Sequence, residues 1–74
     1  MDAEEAALTV LREEGIPLHW TVIQDLALRR GYLDPFTQPD IRKHLLAALA
    51  AAAKQGKVRK ASTGVYELAG DGDA

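Results

Sequence analysis

The chain contains no cysteine, which removes a disulfide framework, a thiolate zinc site and a catalytic thiol at once. Serine occurs once, at Ser62 inside a turn-like stretch, so no Ser/His/Asp arrangement can be assembled around it. No apolar run approaches the ~20 residues that a membrane span needs. The opening Met-Asp-Ala-Glu-Glu is acidic where a secretory leader is basic, and with the missing cysteines it leads us to expect a soluble, cytoplasmic protein. Length is short too. Seventy-four residues make one domain, and a domain of this size buries only about 60% of the surface its unfolded chain exposes.

What the chain does have is charge sorted by position. The formal net charge of −2 conceals a basic middle: residues 26–66 carry eight of the nine Lys and Arg residues and only two acids, Asp34 and Asp40. Residues 1–25 hold six acids against Arg12, and residues 67–74 hold three acids and no base. Such sorting predicts opposite charged poles on a small fold, and a basic pole points to an anionic partner, of which nucleic acid is the commonest.

The apolar positions Ala7, Leu8, Val10 and Leu11 fall at helical spacing and predict a helix over Ala3 to Glu14, stopped by Gly15. Ile16-Pro17-Leu18 reads as an extended linker or a minimal strand. A second helix is expected from His19 or Trp20, with Trp20, Ile23, Leu26 and Ala27 facing inward and Gly31 behind Arg29-Arg30 ending it. Tyr32 to Gln38 reads as a loop, and Thr37 with Asp40 resembles a capping box for a third helix over Pro39 to Gln55. Its inward stripe is Ile41, Leu45, Ala48, Leu49 and Ala52, and Gly56 terminates it. Lys57 to Lys60 and Val65 to Leu68, around Ala61 to Gly64, read as a β-hairpin. Gly70 to Ala74 has no apolar side chain beyond alanine and reads as an acidic tail or linker start, leaving the domain to residues 1–69.

Three helices followed by a hairpin is the order of a winged helix-turn-helix, an α+β fold that is mostly α. The stretch Ala6 to Leu68 resembles the HARE-HTH winged-helix family and is similar to the related amino-terminal domain of the bacterial RNA polymerase delta subunit. The matching pieces are Ala-Ala-Leu-Thr-Val-Leu-Arg-Glu-Glu-Gly in the first helix, Ile-Pro-Leu-His-Trp-Thr-Val-Ile leading into the second, Arg-Arg-Gly-Tyr-Leu closing it, and Gly-Val-Tyr-Glu-Leu in the last strand. The resemblance implies an accessory module of transcription-associated proteins and DNA-processing enzymes, without catalytic residues or cofactors of its own. In the delta-type relatives it implies docking on RNA polymerase, with a long acidic tail, of which only five residues are present here. The Ala-rich third helix departs from the polar recognition helix of a sequence-specific reader.

If the third helix enters a major groove, Gln38, Arg42, Lys43 and His44 stand at its reading end, Gln suited to adenine and Arg to guanine. Lys57, Arg59, Lys60, Ser62 and Thr63 on the wing, with Arg29 and Arg30, are the expected phosphate contacts. The expected partner is double-stranded DNA, bound weakly, with low sequence specificity and strong salt dependence. His19 and His44 lie on separate elements, so neither is expected to ligate a metal; His19 is expected to cap or border the second helix. Trp20, Tyr66 and Leu68 are expected in or against the core. A competing expectation is a protein contact, with RNA polymerase or a DNA-processing enzyme, through Leu46, Ala47, Ala50 and Ala53, a strip of small apolar residues off the inward stripe.

Overall fold

The computed structural model describes residues 1–69, so the expected tail over residues 70–74 lies outside the described residues. Helix α1 runs Ala3–Glu14. Asp2 starts it: its carboxylate accepts from the Glu5 N–H at 2.8 Å while the Glu5 carboxylate accepts from the Asp2 N–H, a reciprocal capping box. Gly15 ends it in the left-handed conformation, φ +69°, donating its N–H to the Leu11 carbonyl. The face built from Ala6, Ala7, Val10 and Leu11 is buried.

Strand β1 is two residues, Leu18–His19, and leads directly into α2, Trp20–Arg29. As expected, His19 caps α2, its Nδ1 accepting from the Thr21 N–H at 3.2 Å. The chain then turns through Gly31, and Leu33 is buried although it sits in the connection, its N–H and that of Tyr32 both reaching the Ala27 carbonyl. Helix α3 spans Ile41–Lys54, two residues shorter at its start than the sequence predicts. The predicted Thr37/Asp40 capping box does not form. Asp40 adopts φ +54° and its side chain makes no cap hydrogen bond, while the Thr37 N–H turns back to the Asp34 carbonyl. The loop closes on itself around Asp34, so the helix can begin only after that turn is complete.

Strands β2, Val58–Ser62, and β3, Val65–Leu68, form the hairpin around Thr63-Gly64, a tighter turn than Ala61 to Gly64. An irregularity between Lys60 and Ser62 absorbs the extra residue. β3 also pairs antiparallel with β1, Leu18 opposite Tyr66, giving a three-stranded sheet ordered β1-β3-β2. α1 packs on both α2 and α3, and Leu11, Ile23, Leu45, Leu49, Val10 and Val58 fill the centre. Tyr66 is buried and Leu68 and Trp20 pack against this core, as their spacing predicts. The chain is a small α+β fold, three helices with a three-stranded antiparallel sheet, in the order of a winged helix.

Candidate nucleic-acid interface

Three elements converge at the start of α2. The Trp20 N–H donates to the Gly64 carbonyl at 2.9 Å, which ties the wing turn to the first residue of α2. The His19 ring lies beside the Trp20 ring, centroids 5.8 Å apart, and faces Gly64 so closely that a Cβ there would stand 2.7 Å from its Nε2. From α3, the Arg42 guanidinium lies over the Trp20 ring at 5.4 Å from its centroid, within cation–π range. Trp20 therefore does two things: its inner part packs on the core, and its outer part seats an arginine next to the wing.

Arg42, Lys43 and His44 are exposed on the first turn of α3, and Lys60, Ser62 and Thr63 are exposed on the wing; of these Arg42 is held at the junction, while His44 lines a hollow with Asp2, Ala3 and Leu33. Among the described residues, Arg42, Lys43, Lys54 and Lys60 have no carboxylate within ion-pair distance. The open start of α3 adds backbone N–H groups that no side chain caps, donors of the kind that meet phosphate at helix N-termini, with the Asp40 carboxylate acting against them.

The other predicted contacts are engaged elsewhere. Arg30 is held by two carboxylates of α1, 2.7 Å from Glu13 and 2.6 Å from Glu14. The Glu14 hydrogen bond is the largest cause holding its guanidinium above the ordinary arginine value; desolvation opposes it and Glu13 adds to it. Tyr32 donates its hydroxyl to Glu13 at 2.5 Å, and that bond, with desolvation, raises the phenol above its ordinary value. Lys57 pairs with Glu4 at 2.6 Å. Arg29 pairs with Asp25 and Arg59 with Glu67, surface pairs of a kind worth roughly 0–1 kcal/mol, and Arg59 also donates to the Ala69 carbonyl at 3.1 Å. Gln38 is clamped at both ends of its amide: Oε1 accepts from the Asp34 N–H at 2.7 Å and Nε2 donates to the Met1 carbonyl at 2.9 Å. It braces the loop, with one bond at each end of its amide.

The apolar strip on α3 is also smaller than expected. Ala47 and Ala50 are exposed and Leu46 is half-buried, but Ala53 turns inward and packs against the core. Sequence reasoning placed Trp20 in the core and missed its second role; the signal was Arg42, which a helix-start arginine near a half-buried tryptophan makes a stacking partner. Among the described residues, no group of three or more His, Asp or Glu side chains could hold a metal ion. Among the described residues, no helix is long and apolar enough to cross a membrane. Comparison with family models, with curated proteins and with solved structures finds no match for this chain.

Proposed function

We propose that this chain is a DNA-binding winged-helix module of low sequence specificity, with the first turn of α3 directed toward the major groove and the wing on the backbone. The observation that carries the reading is Arg42 seated over Trp20, whose N–H is bonded to Gly64 of the wing turn; Lys43 and His44 are exposed on the same turn of α3, Lys60, Ser62 and Thr63 are exposed on the wing, and Arg42, Lys43 and Lys60 have no carboxylate partner among the described residues. The resemblance to the HARE-HTH family points the same way, to an accessory module of DNA-associated proteins.

The contacts differ in kind. Arg42 is the base-reading candidate, because its guanidinium fork is oriented by Trp20 and suits guanine. Lys43, Lys60 and the wing hydroxyls position without specifying. Two phosphate-type cations, Lys43 and Lys60, imply a log affinity–log salt slope of about −1.8, or roughly a 12-fold loss between 50 and 200 mM salt. A backbone amide NMR titration with a generic ~20-base-pair duplex tests this at those two salt concentrations. Shifts should map to Arg42 to Ala47 and Lys60 to Gly64 and fade with salt. An Arg42→Ala/Lys43→Ala variant with undiminished duplex affinity would remove this surface from the reading.

A second reading is a protein-interaction module, docking on RNA polymerase or on a DNA-processing enzyme. It draws on Leu46, Ala47 and Ala50, which leave a helix face of small side chains open to close approach. A folded Leu46→Glu variant that keeps every contact of the parent chain would eliminate it.

A further inference from the structure

Strand β2 stands clear of the fold. It is an edge strand, since the sheet order is β1-β3-β2, and among the described residues no strand pairs with its outer side. Beyond the buried Val58, its positions Arg59, Lys60, Ala61 and Ser62 are all exposed, and so is Thr63 in the turn. A strand lying on a core alternates inward and outward side chains, so a run of exposed positions means that neither face of this stretch is covered. The segment is extended and open on both faces and along one edge. It also carries the only serine of the chain, Ser62, with Arg59 three residues before it and Lys60 two residues before it. No threonine has Lys or Arg at both of those positions: Thr63 has Lys60 alone, and Thr9, Thr21 and Thr37 have neither.

We propose that Ser62 is a phosphorylation site for a serine kinase with an acidic substrate cleft, and that the phosphate releases the wing from duplex DNA. Such a kinase surrounds its substrate as an extended chain and selects it by charge, and the wing offers both the conformation and the cations. Lys60 has no carboxylate partner among the described residues. Arg59 meets Glu67 at 3.4 Å and the Ala69 carbonyl at 3.1 Å, surface contacts of a kind that compete weakly with a new carboxylate. In the reaction the Ser62 Oγ attacks the γ-phosphorus of a magnesium-bound nucleoside triphosphate. An Oγ–P bond forms, the bond from that phosphorus to the β–γ bridging oxygen breaks, the nucleoside diphosphate leaves with the electron pair, and the hydroxyl proton passes to a kinase carboxylate. The product carries about −1.5 to −2 charges at neutral pH, two residues from Lys60. The release rests on the DNA reading, in which the wing lies on the phosphate backbone: there the new charge opposes Lys60 and repels the duplex.

The test treats the full, folded chain with magnesium ATP and the cyclic-AMP-dependent kinase, a serine kinase directed to basic substrates. Intact mass and fragment mapping should show one phosphate, on Ser62, and none in Ser62→Ala. The Arg59→Ala/Lys60→Ala variant should take it up about tenfold or more slowly. All three positions are exposed, so these variants keep the fold, which far-UV circular dichroism checks. No phosphate on the folded chain, phosphate on Thr63 in place of Ser62, or an unchanged rate in the Arg59→Ala/Lys60→Ala variant would each overturn the site. Duplex titration of the purified phosphorylated chain is the second measurement. It should bind about tenfold or more weakly than the parent at ~50 mM salt, with a salt slope nearer zero by about one unit. A phosphorylated chain with the parent's duplex affinity would overturn the release. If the parent itself binds no duplex, the DNA reading and the release fall together, while phosphate mapped to Ser62 still establishes the acceptor site.

Discussion

The seat of the wing on His19 can be measured by comparing glycines. Gly15, Gly31, Gly56 and Gly64 all have φ between +69° and +77°, so alanine at any of them meets the same left-handed strain, about 1–2 kcal/mol. Part of that is offset because alanine also restricts the unfolded chain, by roughly 0.4–1 kcal/mol. At Gly15 or Gly56 a new Cβ meets no atom within 4 Å, so the net cost of alanine is about 1 kcal/mol. At Gly64 the same methyl would stand 2.7 Å from His19 Nε2, 3.1 Å from its Cδ2 and 3.4 Å from Trp20 Cδ1. The imidazole could swing away, but only by releasing the Thr21 N–H that it caps, a loss of about 1 kcal/mol. Overpacking of this kind costs ~1–3 kcal/mol, which brings Gly64→Ala to about 2–4 kcal/mol.

For a domain of this length the whole stability is about 4–11 kcal/mol, so the effect is large. Urea unfolding followed by Trp20 fluorescence, with a slope near ~1 kcal/mol/M, should show the midpoint falling by about 2–4 M for Gly64→Ala against about 1 M for Gly56→Ala. In the His19→Ala/Gly64→Ala double variant the clash disappears, so its cost should be less than the sum of the single costs. Equal midpoints for Gly64→Ala and Gly56→Ala would refute the seating of the wing turn on His19.

Three further outcomes are expected. On the DNA reading, Lys60→Ala should lower the salt slope of duplex binding by about one unit, whereas Arg30→Ala should leave the slope unchanged because Glu13 and Glu14 already hold that guanidinium; salt titrations of both variants decide it. Tyr32 should titrate above the ordinary 10.0, seen by ¹³C-tyrosine NMR, and fall toward that value in Glu13→Gln. Since the folded value is the raised one, the stabilisation from this bond is complete below pH 10 and is lost as pH rises through the folded value. Gln24 on α2 has a buried Oε1 with no hydrogen-bond partner, so Gln24→Met should raise stability by about 1 kcal/mol in the same urea assay, and a fall would show that the amide is satisfied in solution.

The parts of this structure that could be read from the sequence are those whose cause is local. Apolar spacing placed α1, α2 and the hairpin, and Gly15 and Gly31 marked helix ends because left-handed backbone suits glycine at those turns. The start of α3 failed for the same reason in reverse: Thr37 and Asp40 have the spacing of a capping box, but the Asp34 carbonyl captures the Thr37 and Gln38 N–H groups first. Leu33 gave no sign of burial because a single residue in a connection has no periodicity to betray it. The charge pattern shows the sharper limit. Its sorting along the chain is real, yet α1 folds beside the basic segment, so Glu4 meets Lys57 across 53 positions and Glu13 and Glu14 meet Arg30 across 17 and 16. Pairing at such separations belongs to the packing of α1 against its neighbours, and no window of sequence contains both partners. A reading that counts cations along the chain therefore overstates the basic surface, and it overstates it most where an acidic helix packs against a basic one. Of the expected cationic contacts, Arg42 and Lys43 on the first turn of α3 and Lys60 on the wing are the ones without a carboxylate partner among the described residues. Arg42 lies over Trp20, whose N–H is bonded to Gly64, so a contact that no window of sequence contains ties the first turn of α3 to the wing turn.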